Sequence, residues 1–220
     1  MVSVPPSSSQ RNLPVNFSEL TASRHSVRAY EPGVVIDDAE LKQIFEMVIQ
    51  GPSSFNLQHW QFVVVRDQDR KCELRKLSFG QAQVEECAAV ILVCGRLDAF
   101  VDAPRIYRDG TVADREKFVP MIKAVYEGRP ALQREEAIRS GAMAAMSLMY
   151  AAKSRGWDTG PMIGFDAERV GQYLDLAETS IPVMMVVLGR ALGGRQPARA
   201  YRRPVSEVVR LEHRAGGALE

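Results

Sequence analysis

The sequence predicts an α+β fold, a few buried strands covered on both faces by helices, and three observations carry that expectation. Residues 62–66 (FVVVR), 88–94 (AAVILVC) and 182–190 (PVMMVVLGR) are short continuous apolar runs, the pattern of strands buried on both faces. Leu41, Ile44, Phe45 and Val48 recur at helical spacing and give one apolar face. Residues 141–152 (GAMAAMSLMYAA) are apolar almost all round, so a helix there is buried on every side. In a chain of 220 residues such burial often takes a partner subunit. No break in composition divides the chain, so a single domain over 16–220 is expected, preceded by a flexible Pro- and Ser-rich tail over 1–15.

Taken in order, residues 16–23 form a short helix with Asn16 as N-cap, followed by the basic, irregular SRHSVRAYEPG. Asp37 caps the next helix, with Glu40 completing a capping box, and Gly51-Pro52 ends it. The polar-and-aromatic stretch GPSSFNLQHWQF (51–62) leads into the first strand. A polar-faced helix over 67–77 and a shorter one over 81–87 precede the second strand. Residues 98–128 read as a helical excursion in which Pro120 interrupts the helical spacing of Phe118, Met121, Ile122 and Val125. Pro130 suits the first turn of a helix that runs to Ser154 and stops at Gly156. GWDTGPMIGFD reads as a Gly-rich turn, and Asp166 caps a helix from Ala167. After the third strand, a Gly/Pro/Arg linker (191–199) leads to Arg202-Arg203-Pro204 and an extended or strand-like tail.

Composition narrows the function classes. A net charge of +1 gives no bulk attraction to nucleic acid or to an anionic membrane. No apolar run reaches the roughly 20 residues of a membrane span, and MVSVPPSSSQRN lacks the basic and apolar regions of a signal peptide. Cys72, Cys87 and Cys94 are odd in number and have no C-x-x-C spacing, as in a reduced cytoplasmic protein. With His25, His59 and His213 scattered, no zinc site is expected. A G-x-G-x-x-G after a strand, a G-x-x-x-x-G-K-[ST] loop and a G-x-S-x-G elbow are all absent, which favours a bound cofactor doing the chemistry.

Four stretches are candidates for holding it. Arg24, Ser26 and Arg28 alternate, so in an extended segment two guanidiniums and a hydroxyl point one way, as a phosphate would want; a solvated basic turn paired to Glu19 or Glu31 is the plainer alternative. In 51–62, Ser53, Ser54, Asn56, Gln58, His59 and Gln61 are interleaved with Phe55, Leu57, Trp60 and Phe62, which suits either a loop against a flat, partly polar ligand or a capped helix-to-strand connection. Gly160 and Gly164 flank Pro161, Met162 and Ile163 and would let backbone approach a flat ligand, or merely form a turn. Arg202 and Arg203 would close on the same anion as Arg24, or stand as a solvated pair.

Together, 24–28 (RHSVR), 52–60 (PSSFNLQHW), 160–166 (GPMIGFD) and Arg202-Arg203-Pro204, in this order, resemble the FMN-dependent nitroreductase family over about residues 17–211. The resemblance implies a nitroreductase-like fold: a central, mostly antiparallel sheet flanked by helices, in an intertwined homodimer with two FMN at the subunit interface. The apolar helix near 141–152 would then be dimer core, and the tail over about 200–214 would reach across the partner. It further implies that Arg24 and Ser26 hold the FMN phosphate and ribityl chain, with His25 among the cofactor-binding residues and Arg28 near the pyrimidine edge. Pro52, Ser53, Ser54 and Asn56 would come from the opposite subunit. Pro161, Met162, Ile163 and Gly164 would line one flavin face, and Arg202 and Arg203 would close the phosphate site. Two departures stand out: Ile163 replaces a Glu found in many relatives, and Gly80-Gln81-Ala82-Gln83 stands where relatives often have Asn or Lys, leaving Gln83 to donate to a flavin carbonyl.

The activity implied is a ping-pong transfer of hydride from NADH or NADPH through FMN to a small acceptor such as a quinone or nitroaromatic, with no obligatory side-chain acid or base. The rival readings are family chemistry of another kind (dehalogenation, desaturation, fragmentation of the flavin) and a non-catalytic flavin-binding or sensory module.

Overall fold

The computed structural model describes residues 16–193 and 199–220. The expected tail over 1–15 and the middle of the 191–199 linker lie outside the described residues. Four strands form one sheet: β1 (Trp60–Val65), β2 (Ala89–Arg96), β3 (Asp158–Met162) and β4 (Ser180–Gly189), in the order β1-β2-β4-β3. Each neighbouring pair is antiparallel. The helices are α1 (Phe17–Ser23), α2 (Asp38–Val48), α3 (Gln68–Leu77), α4 (Gln83–Glu86), α5 (Ala103–Ile106), α6 (Val112–Tyr126), α7 (Pro130–Ser154), α8 (Ala167–Tyr173) and α9 (Val205–Val208). This is the expected α+β architecture.

The central strand shows why its sequence is continuously apolar. Successive side chains of a strand point to opposite faces. On β2, Ile91 and Val93 join the core under α2 and α7, with Ile44, Val48, Ala145 and Leu148. Val90, Leu92 and Cys94 join the opposite core with Leu74, Val84 and Val170, from α3, α4 and α8. Both faces are covered, so no position of the strand is polar until Arg96 at its end. A third, smaller core of Leu57, Ala99, Ala103, Ile122 and Tyr126 lies under the 98–128 excursion.

Four expectations are corrected. Residues 158–162 (DTGPM) form the edge strand β3 rather than a turn. Pro161 cannot donate to a ladder, and an edge tolerates that. Glu40 does not complete a capping box: Asp37 accepts from the Glu40 N–H at 2.7 Å, but the Glu40 carboxylate takes a fork of bonds from Arg155 at 2.7 and 2.8 Å and one from Trp157 Nε1 at 3.1 Å. Pro120 does not interrupt α6, which runs through it with Thr111 and Asp114 forming a reciprocal capping box; the proline lies on the exposed side, where water can serve the carbonyl it leaves unpaired. The tail after Pro204 opens with the short helix α9 instead of a strand.

Helix α7 crosses the sheet and buries Ala137, Ser140, Gly141, Ala144, Ala145, Leu148 and Met149 within the chain. Its other side is not covered: Ile138 is 41% and Met143 43% exposed. Near its end, the Tyr150 ring meets the largely exposed Phe17 of α1 at 5.4 Å.

Candidate functional site

The sequence-predicted residues gather at the two opposite edges of the sheet. At the β3 edge, residues 24–28 leave the C-terminus of α1 in extended conformation and run beside β3. Ser26 bridges Thr159 in parallel, and the Val27 N–H donates to the Thr159 carbonyl at 3.0 Å. Val27 and Tyr30 are the buried anchors of this segment; the Tyr30 hydroxyl donates to the carbonyls of Val27 at 3.1 Å and Val187 at 3.3 Å. Ser26 and Arg28 are left exposed, with Arg24 and His25 half-buried. The pairing of these arginines to Glu19 or Glu31 does not occur: among the described residues, Arg24, Arg28 and Arg203 form no ion pair. His25 Nδ1 donates to the Ser23 carbonyl at 2.9 Å, which fixes the proton on that nitrogen because a carbonyl only accepts.

The role expected of Gly160 is corrected. A Cβ on this residue would stand 2.3 Å from the Val27 carbonyl oxygen and 3.1 Å from the Tyr30 hydroxyl. The space it leaves is filled by the chain itself, by the very segment that carries the arginines. Gly164 sits where its Cβ would meet only the Gln81 amide, at 3.2 Å.

The end of β3 is tied to the turn before α4. Gln81 Nε2 donates to the Gly164 carbonyl at 2.7 Å, and Gln83 Nε2 donates to Gln81 Oε1 at 3.1 Å and approaches Met162 Sδ at 3.5 Å. Pro161 is half-buried, Met162 is buried, and Ile163 is 74% exposed. Gln83 is buried, and its Oε1 has no hydrogen-bond partner among the described residues. A buried amide oxygen without a donor is costly.

Arg199 brings the C-terminal tail to the same edge. Its Nη2 donates to the carbonyls of Thr21 at 3.0 Å, Ala22 at 2.8 Å and Arg24 at 3.0 Å. Nothing in the sequence marked this residue, because backbone acceptors at a helix end carry no residue-type signal. Arg202 and Arg203 follow it on the surface; Arg202 Nη1 is spent on the carbonyls of Ala200 and Tyr201, leaving Arg203 the freer of the two.

The loop before β1 lies at the other edge. Phe55, Asn56 and Gln58 all have positive φ, near 50°, a region costly for non-glycine residues. The fold holds them there. Ser53 Oγ accepts from the Gln58 N–H at 2.9 Å, Tyr126 donates to Ser54 Oγ at 2.9 Å, and Tyr107 donates to the Phe55 carbonyl at 3.3 Å. Pro52 and Asn56 are exposed. Trp60 is buried in the core and Phe62 meets Phe45 at 4.9 Å, so both anchor the loop. His59 is buried with Nδ1 3.3 Å from Ser140 Oγ, and burial holds its pKa below the usual 6.5, so it is a neutral packing residue at pH 7.

The two groups are separated within one chain by the width of the sheet. Three inter-strand spacings of about 4.8 Å put β1 roughly 14 Å from β3. A cleft of about 170 Å³, lined by Gly33, Arg66, Lys71 and Cys87 among others, includes none of these residues. Cys72, Cys87 and Cys94 are free thiols; burial pushes Cys87 up to about 11 and Cys94 up to about 12, so neither is a thiolate nucleophile. No cluster of three or more His, Cys, Asp or Glu able to hold a metal occurs among the described residues.

Comparison with known proteins supplies the context for this arrangement. The model of the Nitroreductase family matches residues 21–190. MhqN of Bacillus subtilis (strain 168), whose name carries the description NAD(P)H nitroreductase, is 38% identical over 200 residues, covering 88% of this chain and 97% of its own. A protein named NADH dehydrogenase from Thermus thermophilus is 32% identical over 206 residues, covering 91% and 98%. A solved structure from Exiguobacterium sibiricum 255-15, in complex with FMN, superposes with a TM-score of 0.82 at 29% identity, over 89% of this chain and 96% of that one.

Proposed function

The chain belongs to the nitroreductase family, and on that premise we propose that it is an FMN-dependent NAD(P)H oxidoreductase that passes hydride to a small acceptor such as a quinone or nitroaromatic. The observation that carries this reading is the convergence at the β3 edge of Arg24, Ser26 and Arg28, the 161–164 turn, Gln83 and the tail bearing Arg203.

The residues present fit the flavin mononucleotide. Among the described residues the guanidiniums of Arg24, Arg28 and Arg203 meet no carboxylate, which suits a phosphate. The exposed Ile163 beside half-buried Pro161 offers an apolar floor to a flat ring. The buried Gln83 Oε1 lacks a donor, and an N–H on the polar edge of that ring would supply one. This reverses the direction expected from sequence, where Gln83 was to donate: its Nε2 is already committed to Gln81 and Met162.

FMN bound here would supply the redox chemistry, a two-electron hydride transfer between NADH or NADPH and the acceptor in ping-pong fashion. The protein's own part is to bind and orient. Arg24 and Arg203 would hold the phosphate, with His25 and Ser26 at the adjoining chain and Arg202 beside them. Arg28 would place positive charge near the pyrimidine edge, where it would favour a reduced anion. Pro161, Met162, Ile163 and Gly164 would floor one face of the ring, leaving the other to both substrates in turn. Ile163 brings no charge to this floor.

The loop residues Pro52, Ser53, Ser54 and Asn56 cannot reach this edge within their own chain, so the reading includes a homodimer in which each site takes its loop from the partner. The uncovered Ile138 and Met143 stripe of α7 supports that assembly. No described helix is long and apolar enough to cross a membrane, and the proposal places the enzyme in the cytoplasm with its residues 16–220 as one domain. The test is direct. The purified protein should be yellow and should oxidise NADH or NADPH with menadione or a nitroaromatic. Colourless protein that takes up no added FMN refutes the proposal; tight FMN binding without reduction by either nucleotide favours a sensory module instead.

A further inference from the structure

We propose that Arg199 is a positioning residue that clasps the C-terminal tail onto α1 and so holds Arg203 at the same anion as Arg24. The inference rests on reading Arg24 and Arg203 as phosphate residues, and adds a residue that contacts no cofactor itself.

The geometry is specific. The last turn of a helix presents carbonyls that have no partner within the helix, and a cation there is doubly favourable. Helix α1 has no basic residue in its last turn. Arg199, 175 to 178 residues further along the chain, supplies one, and one Nη2 serves three carbonyls, those of Thr21, Ala22 and Arg24. The last of these belongs to the first arginine of the fork itself. From this anchor Arg203 is four residues away, a span of at most about 14 Å for an extended chain. Beyond it, Pro204 caps α9, so the tail between clasp and helix is short. Without the clasp, Arg203 would be tethered through a stretch that, among the described residues, makes no other side-chain bond to α1, and the entropy of ordering it would fall on cofactor binding.

Arg199 acts through Arg203, so its effect must vanish when Arg203 is gone. FMN fluorescence titration of Arg199→Ala, Arg199→Lys, Arg203→Ala and the double variant Arg199→Ala/Arg203→Ala tests this, together with hydrogen–deuterium exchange of the flavin-free proteins. Arg199→Ala should raise the FMN Kd about tenfold, the scale of one exposed charge-assisted hydrogen-bond set. Arg199→Lys, which keeps the charge but loses the fork, should recover part of that. The double variant should bind no more weakly than Arg203→Ala alone. Exchange over 20–24 and 200–209 should quicken in flavin-free Arg199→Ala and not elsewhere. An unchanged Kd for Arg199→Ala, or additive losses in the double variant, overturns the positioning role. Wild-type protein that binds no FMN refutes the proposed function rather than the clasp, and the exchange comparison then decides the clasp alone: unchanged exchange overturns it.

Discussion

Replacing Gly160 by alanine joins the stability of the fold to the integrity of the candidate site. The added methyl would lie 2.3 Å from the Val27 carbonyl oxygen, 3.0 Å from Val187 Cγ2 and 3.1 Å from the Tyr30 hydroxyl. The first of these is backbone, so no side-chain rotation relieves it. Residues 26–28 must move away from β3, with loss of the Val27 N–H bond to Thr159. Overpacking of this kind costs about 1–3 kcal/mol, and the lost bond about 1 kcal/mol more. A total near 3 kcal/mol corresponds to a fall in Tm of roughly 6–12 °C for a chain of this size. Thermal unfolding of the flavin-free protein, followed by the fluorescence of Trp60 and Trp157, measures it; FMN content should fall in parallel because Arg24 and Arg28 ride on the displaced segment. Gly164→Ala is the control, since its methyl meets only the movable Gln81 amide and should leave Tm nearly unchanged. A Gly160→Ala protein with wild-type Tm and wild-type flavin content would show that the segment is not pinned to β3 as described.

Arg24→Ala and Arg203→Ala should each weaken FMN retention by about tenfold or more, consistent with loss of a charge-assisted phosphate contact; equal flavin content after gel filtration in both refutes the phosphate assignment. Met143→Glu adds a charge to an exposed position, so each protomer should still fold, but the proposed homodimer should dissociate and lose FMN with it; a flavin-loaded monomer in light scattering contradicts the proposed interface. Arg155 beside Glu40 holds its carboxyl below the ordinary 4.5. A depressed carboxyl contributes stability that is complete above that ordinary value and fades as pH falls below it through the folded-state value. Urea unfolding of Glu40→Gln at pH 7 should therefore show a loss of about 1–2 kcal/mol, narrowing against wild type as the pH is lowered below 4.5; a pH-independent difference would assign the loss to packing.

What the sequence made legible follows from how local each signal is. The buried strands and α2 were readable because burial on one or both faces writes itself into residue type at a fixed period, as in 89–94 and in Leu41, Ile44 and Val48. Strand β3 was not, because Gly160 and Pro161 are there for reasons set elsewhere: the approach of Val27, and an edge that needs no donor. Glu40 matched a local capping pattern, yet two tertiary donors, Arg155 and Trp157, won its carboxylate. At the site, the arginines and the polar loop were visible as residue types in order. Which of them share an edge was available only through the family resemblance, since it depends on strand order. Arg199 was invisible because its partners are backbone oxygens, and the engagement of the Gln83 amide nitrogen by Gln81 was invisible because it depends on tertiary placement.

If the chain pairs as in the proposed homodimer, the placement of loop and arginines at opposite margins of one sheet has a genetic corollary. A subunit disabled in the loop, Asn56→Asp for example, and a subunit disabled at Arg203 each carry one sound half. Alone, each would assemble only broken sites. Co-expressed, they would form mixed pairs in which one pocket draws both sound halves and the other draws both damaged ones. Two inactive alleles should therefore complement one another in the same cell, whereas two alleles damaged in the same half should not.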